Sequence, residues 1–279
     1  YSYAMIAYKL ITGETPYKNT FSSAKETYNK IYVEGFRPEF PELTPNCYKK
    51  LIEKCWSKEL NERPTFDEIV YHLRTNKEFI TNKVNKEEFE SYVQYIDKSQ
   101  NQPNDEDVRI DDFIKTQNQL FRKVKIDFNK LRNWKKFHFA VDVGTLNIDD
   151  FEKKTKIGSG GFGSVYKCLE KKYDKIYAAK ISIYEIDQCT EDIIVNLSRE
   201  IDIISCLNHP SIFKYIGYSP NDFKNRPKPV IITEFAPNGS LDKIIEMERN
   251  GFGNPDWDDT KKLINIYGIA SGMRYLHSL

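Results

Sequence analysis

The sequence predicts an α+β fold, in which a helical block is followed by a lobe of antiparallel strands with one helix. Apolar residues recur at helical spacing through residues 1–82. From residue 151 the pattern changes to short β-prone runs separated by turn residues. One helical pattern, 191–207, interrupts these runs, and two more helices are predicted at 240–250 and 258–278. The predicted strands are Lys156–Gly158, Gly163–Leu169, Ile176–Ile183, Ile212–Tyr218 and Val230–Phe235.

The first block is predicted to be entirely helical. Its first helix spans 1–13 and ends at a glycine, a common helix stop. Helices at 22–34 and 46–57 follow. The last helix starts at Thr65, which forms a capping box with Glu68 because Thr-x-x-Glu satisfies two orphan backbone donors.

Residues 83–150 are predicted to be a charged linker between the two blocks. Within it, apolar residues of 110–136 recur at close to helical period and the intervening charges are mostly basic. This pattern favours one long amphipathic helix with a solvated basic face over a nucleic-acid or membrane surface.

Charge and composition narrow the functional classes. The net charge of +1 gives no global electrostatic case for binding nucleic acid or a membrane. No apolar run approaches the roughly 20 residues of a membrane span, and no signal peptide is recognisable. An odd number of cysteines without a Cys-x-x-Cys pair favours reduced thiols in a cytoplasmic protein and predicts no metal site. The five cysteines are Cys47, Cys55, Cys168, Cys189 and Cys206.

A glycine-rich run carries the first chemical signal. It has the form G-x-G-x-x-G-x-V and comprises Gly158, Ser159, Gly160, Gly161, Phe162, Gly163, Ser164 and Val165. Glycines let a tight hairpin bring backbone N–H groups against phosphate oxygens. A purely structural turn is the alternative. A Rossmann dinucleotide site is disfavoured, because its last glycine opens a helix whereas 164–169 continues as a strand.

Two charged residues are placed to act with this run. Lys180 lies on the next predicted strand, where a hairpin returns it beneath the glycine loop and within reach of the α- and β-phosphates. Ala178 is small enough for an adenine ring to lie on the sheet beside Val165. Glu200, at the border of the apolar face of helix 191–207, can reach inward and hold Lys180 by an ion pair.

The ordered set resembles the protein kinase family. It comprises the glycine loop, Lys180, Glu200, the His209-Pro210 pair and the run 232–241, which looks like the hinge between kinase lobes. The resemblance implies ATP as cofactor, a gatekeeper at Thr233, adenine hydrogen bonds from the backbone of Glu234 and Ala236, and contact with ATP along Ile157–Val165 and at Ala178 and Lys180. It also implies a protein substrate, and Mg²⁺ for a complete kinase.

By the same resemblance, 1–82 looks like the end of a kinase C-lobe. The Cys55-Trp56 and Arg63-Pro64 pairs are typical of tyrosine kinases and the tyrosine-kinase-like group. In the family this arginine pairs with a glutamate that ends the activation segment. Because the segment that resembles a C-lobe end comes before the segment that resembles an N-lobe, the order of a kinase domain is inverted. This order indicates a fragment of a tandem-kinase protein.

Parts of the kinase active site are missing from this sequence. Neither His-Arg-Asp nor Asp-Phe-Gly occurs in it, so the 279 residues alone are predicted to be inactive. A complete tandem protein is expected to read Asp before Tyr1 and His-Arg-Asp soon after Leu279. The predicted function is ATP-dependent phosphoryl transfer to protein serine or threonine, with tyrosine left open. The alternative is a nucleotide-binding pseudokinase or scaffold.

One packing arrangement is also expected. Within a kinase C-lobe, a helix like 258–278 lies near a helix like 1–13. Residues 1–82 are thus expected to dock under 151–279 as an incomplete, permuted kinase-like body. Contacts of Ile6 or Leu10 with Leu263 or Ile266 would support this arrangement.

Overall fold

The computed structural model of the chain describes residues 1–18, 20–100, 144–188 and 190–279. The chain forms two compact units, one that combines Tyr1–Ser99 with Asn238–Ser278 and one built from Gln100–Pro237. The helix predicted at 110–136 and the residue Cys189 lie outside the described residues.

The first unit is helical. Its longer helices are α1 (Ser2–Thr12), α2 (Ala24–Tyr28), α3 (Asn46–Cys55), α4 (Phe66–Thr75), α5 (Lys86–Gln100), α7 (Leu241–Arg249) and α8 (Asp259–Ser278), with a π-helical segment, Asn29–Val33, after α2. These bounds match the predicted helices to within a few residues, and α5 is an addition to them.

Helix ends in this unit follow the signals in the sequence. Gly13 ends α1 in the left-handed conformation, at a φ of 72°, and its N–H donates to Lys9 O over 2.9 Å. At α4, Thr65 Oγ1 accepts from the Glu68 N–H over 3.2 Å, and Glu68 Oε2 accepts from the Thr65 N–H over 2.7 Å. The predicted capping box is therefore confirmed.

The helical unit has one hydrophobic core that draws on both stretches of chain. Leu10, Leu263 and Ile266 are completely buried in this core. The hydroxyl of Tyr3 on α1 donates to the carbonyl of Ile266 on α8 over 3.3 Å. The expected packing of 1–13 against 258–278 is therefore present, although Ile6 takes no central part in it and is 41% exposed.

Helix α5 differs from the linker expected there. Its charged residues suggested a solvated segment, but Phe89, Val93 and Ile96 form a buried stripe at helical spacing. All three belong to the core of the helical unit. The helical block thus extends beyond residue 82, and charge on the outer face had concealed this inner stripe.

The second unit contains a five-stranded antiparallel sheet and helix α6 (Glu191–Cys206). Its strands are β1 (Phe151–Gly160), β2 (Gly163–Glu170), β3 (Lys175–Ser182), β4 (Tyr215–Ser219) and β5 (Val230–Glu234), in the order β1-β2-β3-β5-β4. Strand β1 is longer than predicted, because most of its residues are exposed, four of them charged, and so lack an alternating pattern.

The two faces of this sheet have separate apolar clusters. On one face, Cys168, Ala179 and Ile232 are completely buried. On the other, Ile201 of α6 is completely buried against Tyr218 and Ile231. This second cluster fixes α6 to the sheet, and it sets the distance from α6 to β3.

A short segment before β1 covers the edge of the sheet at β4. In this edge segment (Gly144–Leu146), the Leu146 N–H donates to Tyr218 O over 2.7 Å and Gly144 O accepts from the Tyr218 N–H over 3.1 Å. The pairing is parallel. A Cβ on Gly217 would stand 2.6 Å from both Gly144 O and Leu146 Cγ, so a glycine is required for this approach.

The loop between β4 and β5 is organised by a buried carboxylate. Asp222, 2% exposed, accepts from Arg226 Nε over 2.9 Å and from the N–H groups of Lys224 and Arg226 over 2.9 and 3.1 Å. Burial acts to raise the pKa of Asp222, but these donors outweigh it, so the pKa lies below its usual value.

Candidate nucleotide-binding site

The glycine run forms a tight β-hairpin. Gly160 pairs with Gly163 across β1 and β2, which leaves Gly161 and Phe162 as a two-residue turn. The Phe162 side chain is 75% exposed. A Cβ added at Gly158, Gly160 or Gly161 would meet no other atom within 4 Å. The backbone of this turn is therefore open to a ligand from outside.

Gly163 differs from the other three glycines of the run. A Cβ there would stand 3.2 Å from the carbonyl carbon of Ile181, and it would lie under 3.0 Å from that carbonyl's oxygen. Strand β3 comes too close for any larger residue. Packing within the sheet therefore requires this glycine, whatever the hairpin binds.

The strand register places the predicted contact residues on one face of the sheet. Val165 pairs with Lys180 across β2 and β3, and Ala178 pairs with Thr233 across β3 and β5. Residues 178 and 180 share a face because side chains alternate along a strand. The four side chains therefore form one continuous surface, on the side of the sheet that carries α6.

An ion pair joins this surface to α6. Lys180 Nζ donates to Glu200 Oε1, as the sequence predicted. Glu200 precedes the buried Ile201, so the anchoring of α6 also fixes the carboxylate. The side chains of Lys180 and Glu200 remain 34% and 39% exposed, which leaves the ammonium accessible to a further anion.

A mostly apolar cavity of about 290 Å³ borders the ion pair. Its walls come from the turn, β3, the segment after β3, α6 and β5. They are Phe162, Lys180, Ser182, Tyr184, Ile186, Ile193, Ile194, Asn196, Leu197, Glu200, Pro229 and Ile231. A low local dielectric strengthens the Coulomb attraction between the two charges on that side.

The residues predicted to meet adenine lie at the end of β5. The Glu234 N–H donates to Lys214 O over 2.9 Å, so this donor is already engaged. The Glu234 carbonyl accepts from Thr233 Oγ1 over 3.2 Å. The Glu234 carbonyl oxygen has a second lone pair, so it can accept a further hydrogen bond from a base. Ala236, two residues beyond β5, is half-buried.

Lys214 is a site residue that sequence reasoning did not find. Its N–H donates to Glu234 Oε1 over 2.9 Å, while its carbonyl accepts from the Glu234 N–H. This double link joins the start of β4 to the end of β5 and holds Glu234 in place. No local pattern marks it, because the two residues are 20 positions apart.

Arg63, in the helical unit, has partners other than the glutamate implied by the resemblance. Its Nε donates to Ser57 O over 2.8 Å, and its guanidinium carbon lies 5.6 Å from the centre of the Tyr1 ring. The Arg63 side chain is therefore held by a hydrogen bond and a cation–π contact.

Membrane-spanning helices and clusters of metal ligands are both absent from residues 1–18, 20–100, 144–188 and 190–279. No helix there has the length and apolar character to cross a bilayer. No three His, Cys, Asp or Glu side chains in these ranges come together as metal ligands.

A glycine hairpin, a strand lysine, a helix glutamate and a five-stranded antiparallel sheet together define a lobe of the protein kinase type. Residues 151–279 match the family model described as protein kinase domain, and residues 1–73 match the model for protein tyrosine and serine/threonine kinase. Both ranges are thus similar to protein kinase domains, and the predicted α+β kinase-like fold is confirmed.

Individual relatives agree with the family models. The chain is 37% identical to an Aurora kinase of Dictyostelium discoideum over 131 residues, which are 47% of this chain and 31% of the relative. Identity to Aurora kinase B of Danio rerio is 31% over 132 residues, or 47% of this chain and 38% of the relative. With the human serine/threonine-protein kinase TNNI3K it is 32% over 158 residues, or 56% of this chain and 17% of the relative. The chain thus spans well under half the length of these curated relatives.

Proposed function

We propose that this chain is part of a protein kinase and that its second unit holds ATP. The observation that carries the proposal is the Lys180–Glu200 ion pair, which lies on the same sheet face as Val165, Ala178 and Thr233. An ammonium fixed at this point can meet the α- and β-phosphates while the open hairpin backbone offers N–H groups.

In this proposal the adenine ring lies against Val165 and Ala178, with Thr233 as gatekeeper. The Glu234 carbonyl accepts a hydrogen bond from the base and the Ala236 backbone supplies the second one. Residues Ile157–Val165 cover the phosphates. Glu200 is a positioning residue, since it acts by holding Lys180.

The complete protein, in our proposal, transfers the γ-phosphoryl group of ATP to protein serine or threonine and belongs to the tyrosine-kinase-like group. The chain is then a fragment of a cytoplasmic tandem kinase: 1–82 ends one domain and 151–279 begins the next. Of the region 83–150 that joins them, α5 packs with the first segment. Because the sequence holds no His-Arg-Asp or Asp-Phe-Gly run, the 279 residues alone have no transferase activity.

A nucleotide-binding pseudokinase or scaffold is the second candidate for the complete protein. The presence and pairing of both Lys180 and Glu200 favour the catalytic kinase, because this pair serves the phosphates in active enzymes. The two candidates are distinguished by the residues that follow Leu279 in a complete coding sequence.

The test is calorimetric titration of the chain with ATP. We expect the wild type to bind and Lys180→Ala to lose at least about tenfold in affinity, as for one charge-assisted hydrogen bond. Lys175→Ala is the matched control, since Lys175 is exposed on the same strand with its side chain on the opposite face. Equal affinity of the wild type and Lys180→Ala would refute the phosphate contact.

Inactivity is tested separately, by transfer of labelled phosphate to a general protein substrate. Incorporation by the wild-type chain is expected not to exceed that by Lys180→Ala. Transfer that depends on Lys180 would show that the 279 residues carry a complete active site.

A further inference from the structure

Helix α5 lies outside both ranges that match kinase family models. Those ranges are 1–73 and 151–279, whereas α5 spans Lys86–Gln100. It nevertheless contributes Phe89, Val93 and Ile96 to the core of the helical unit. This helix is thus an addition to the parts of the chain that resemble a kinase C-lobe, and its contacts indicate what it adds.

The apolar face of α5 packs on one tyrosine of α8. The rings of Phe89 and Tyr267 meet edge to face, with centroids 5.6 Å apart at 88°. Tyr92 adds a second edge contact with the same ring at 6.4 Å and 78°. Tyr267 is completely buried. Edge-to-face aromatic pairs of this kind stabilise a core beyond the effect of the area they bury.

Polar contacts fix the register of the two helices at the start of α8. The N–H of Asn85, just before α5, donates to Thr260 Oγ1 over 2.9 Å, and Thr260 is completely buried. One residue further along α8, Lys261 forms an ion pair with Glu88. Any other alignment of the two helices would break both the hydrogen bond to the buried hydroxyl and the ion pair. These two contacts therefore favour one alignment.

The other end of α5 is tied to the first stretch of chain. Arg74 Nη2 on α4 lies 2.7 Å from Asp97 Oδ2 on α5. Helix α5 therefore contacts both α4, most of which lies in the range matched at 1–73, and α8, from the range matched at 151–279; α4 and α8 also pack directly on each other.

We propose that α5 is an intramolecular docking helix and that residues 1–100 serve as a scaffold for α8 of the same chain. An isolated helix cannot bury an apolar stripe without a partner. The described residues of α1, α4 and α5 supply that partner for α8. The first kinase-like segment thereby gains a structural function that does not depend on ATP binding or phosphoryl transfer.

The test is hydrogen exchange of the full chain, followed by mass spectrometry of peptides from α8 and from the sheet. Phe89→Ala is expected to accelerate exchange in 259–278 by about 100-fold or more, the equivalent of a large-to-small change in a core. Exchange in 151–182 should not change. Tyr95→Ala is the matched control, because Tyr95 is an aromatic residue of the same helix that is 56% exposed.

The proposal would be overturned if residues 259–278 of Phe89→Ala exchanged at the wild-type rate. It would also be overturned if exchange in the sheet were accelerated as much as exchange in 259–278. If Phe89→Ala fails to fold, charge reversal provides the second route. Glu88→Lys and Lys261→Glu should each accelerate exchange in α8, and the double variant should restore it. A double variant no better than the singles would also refute the docking.

A cross-link distinguishes docking within one chain from exchange between chains. Glu88→Cys and Lys261→Cys are combined with Cys189→Ser and treated with a short bis-maleimide. The other native thiols, Cys47, Cys55, Cys168 and Cys206, are buried. We expect a cross-linked monomer. A cross-linked dimer would show that α8 docks on a second copy, contrary to the proposal.

Discussion

Replacement of Gly163 by alanine separates what the sheet requires of the glycine hairpin from what a ligand requires. The new Cβ would lie under 3.0 Å from the Ile181 oxygen, where carbon–oxygen contacts of about 3.3 Å are the norm even for weak hydrogen bonds. Strands β2 and β3 would have to move apart by several tenths of an ångström. That movement strains the ladder between Gly163 and Ser182.

Overpacking of this kind costs about 1–3 kcal/mol. Loss of glycine's freedom in the unfolded chain returns about 0.4–1 kcal/mol. At the midpoints of these two ranges the net loss is about 1.3 kcal/mol, or on the order of 5–10 °C in the melting temperature of a lobe of this size. The assay is thermal and urea unfolding, monitored by exchange of amides in the sheet because the two units need not unfold together.

Gly160→Ala is the control, because a Cβ at Gly160 would meet nothing within 4 Å. Alanine at this position also reduces the conformational freedom of the unfolded chain, and it introduces no clash in the folded one. This variant should therefore be as stable as the wild type or slightly more stable. If Gly163→Ala also leaves the lobe as stable as Gly160→Ala, the packing argument for Gly163 is refuted.

Three further variants test other contacts. Gly217→Ala should release the edge segment from β4 and speed exchange of the Leu146 N–H, because its Cβ would stand 2.6 Å from Leu146 Cγ; wild-type protection would contradict this. The lowered pKa of Asp222 means that its stabilisation is present above about pH 4 and lost as pH falls through the folded-state pKa. Asp222→Asn should therefore lower stability at pH 7 and flatten its decline in acid, and an unchanged acid profile would count against the role of Arg226. The Tyr267 hydroxyl is buried with no hydrogen-bond partner among the described residues, so Tyr267→Phe should hold or raise the free energy of unfolding by about 1 kcal/mol; a clear loss in urea titration would disprove this.

Local signals in the sequence predicted much of this molecule. The ends of α1 and α4 followed from Gly13 and from the pair Thr65 and Glu68, since caps depend on residues within one helical turn. The ion pair followed from the order of a strand lysine and a helix glutamate. The roles assigned to the site residues remain predictions.

Features that depend on contacts between distant parts of the chain were not predicted from the sequence. The core position of α5 was missed because its charged outer face outweighed a three-residue apolar stripe. The edge segment could not be foreseen, since a parallel bridge between Thr145 and Tyr218 leaves no periodic trace. The link between Lys214 and Glu234 depends on the strand order and not on either residue's neighbours.

The edge segment has a consequence for behaviour in solution at high concentration. An uncovered strand presents unpaired N–H and C=O groups that another molecule can extend into an aggregate. Residues 144–146 occupy that position beside β4. At the opposite edge, β1 presents Lys153, Lys154 and Lys156, and lysine-rich edges repel a second copy of themselves. Loss of the edge segment should thus promote self-association through β4 more readily than it alters ligand binding.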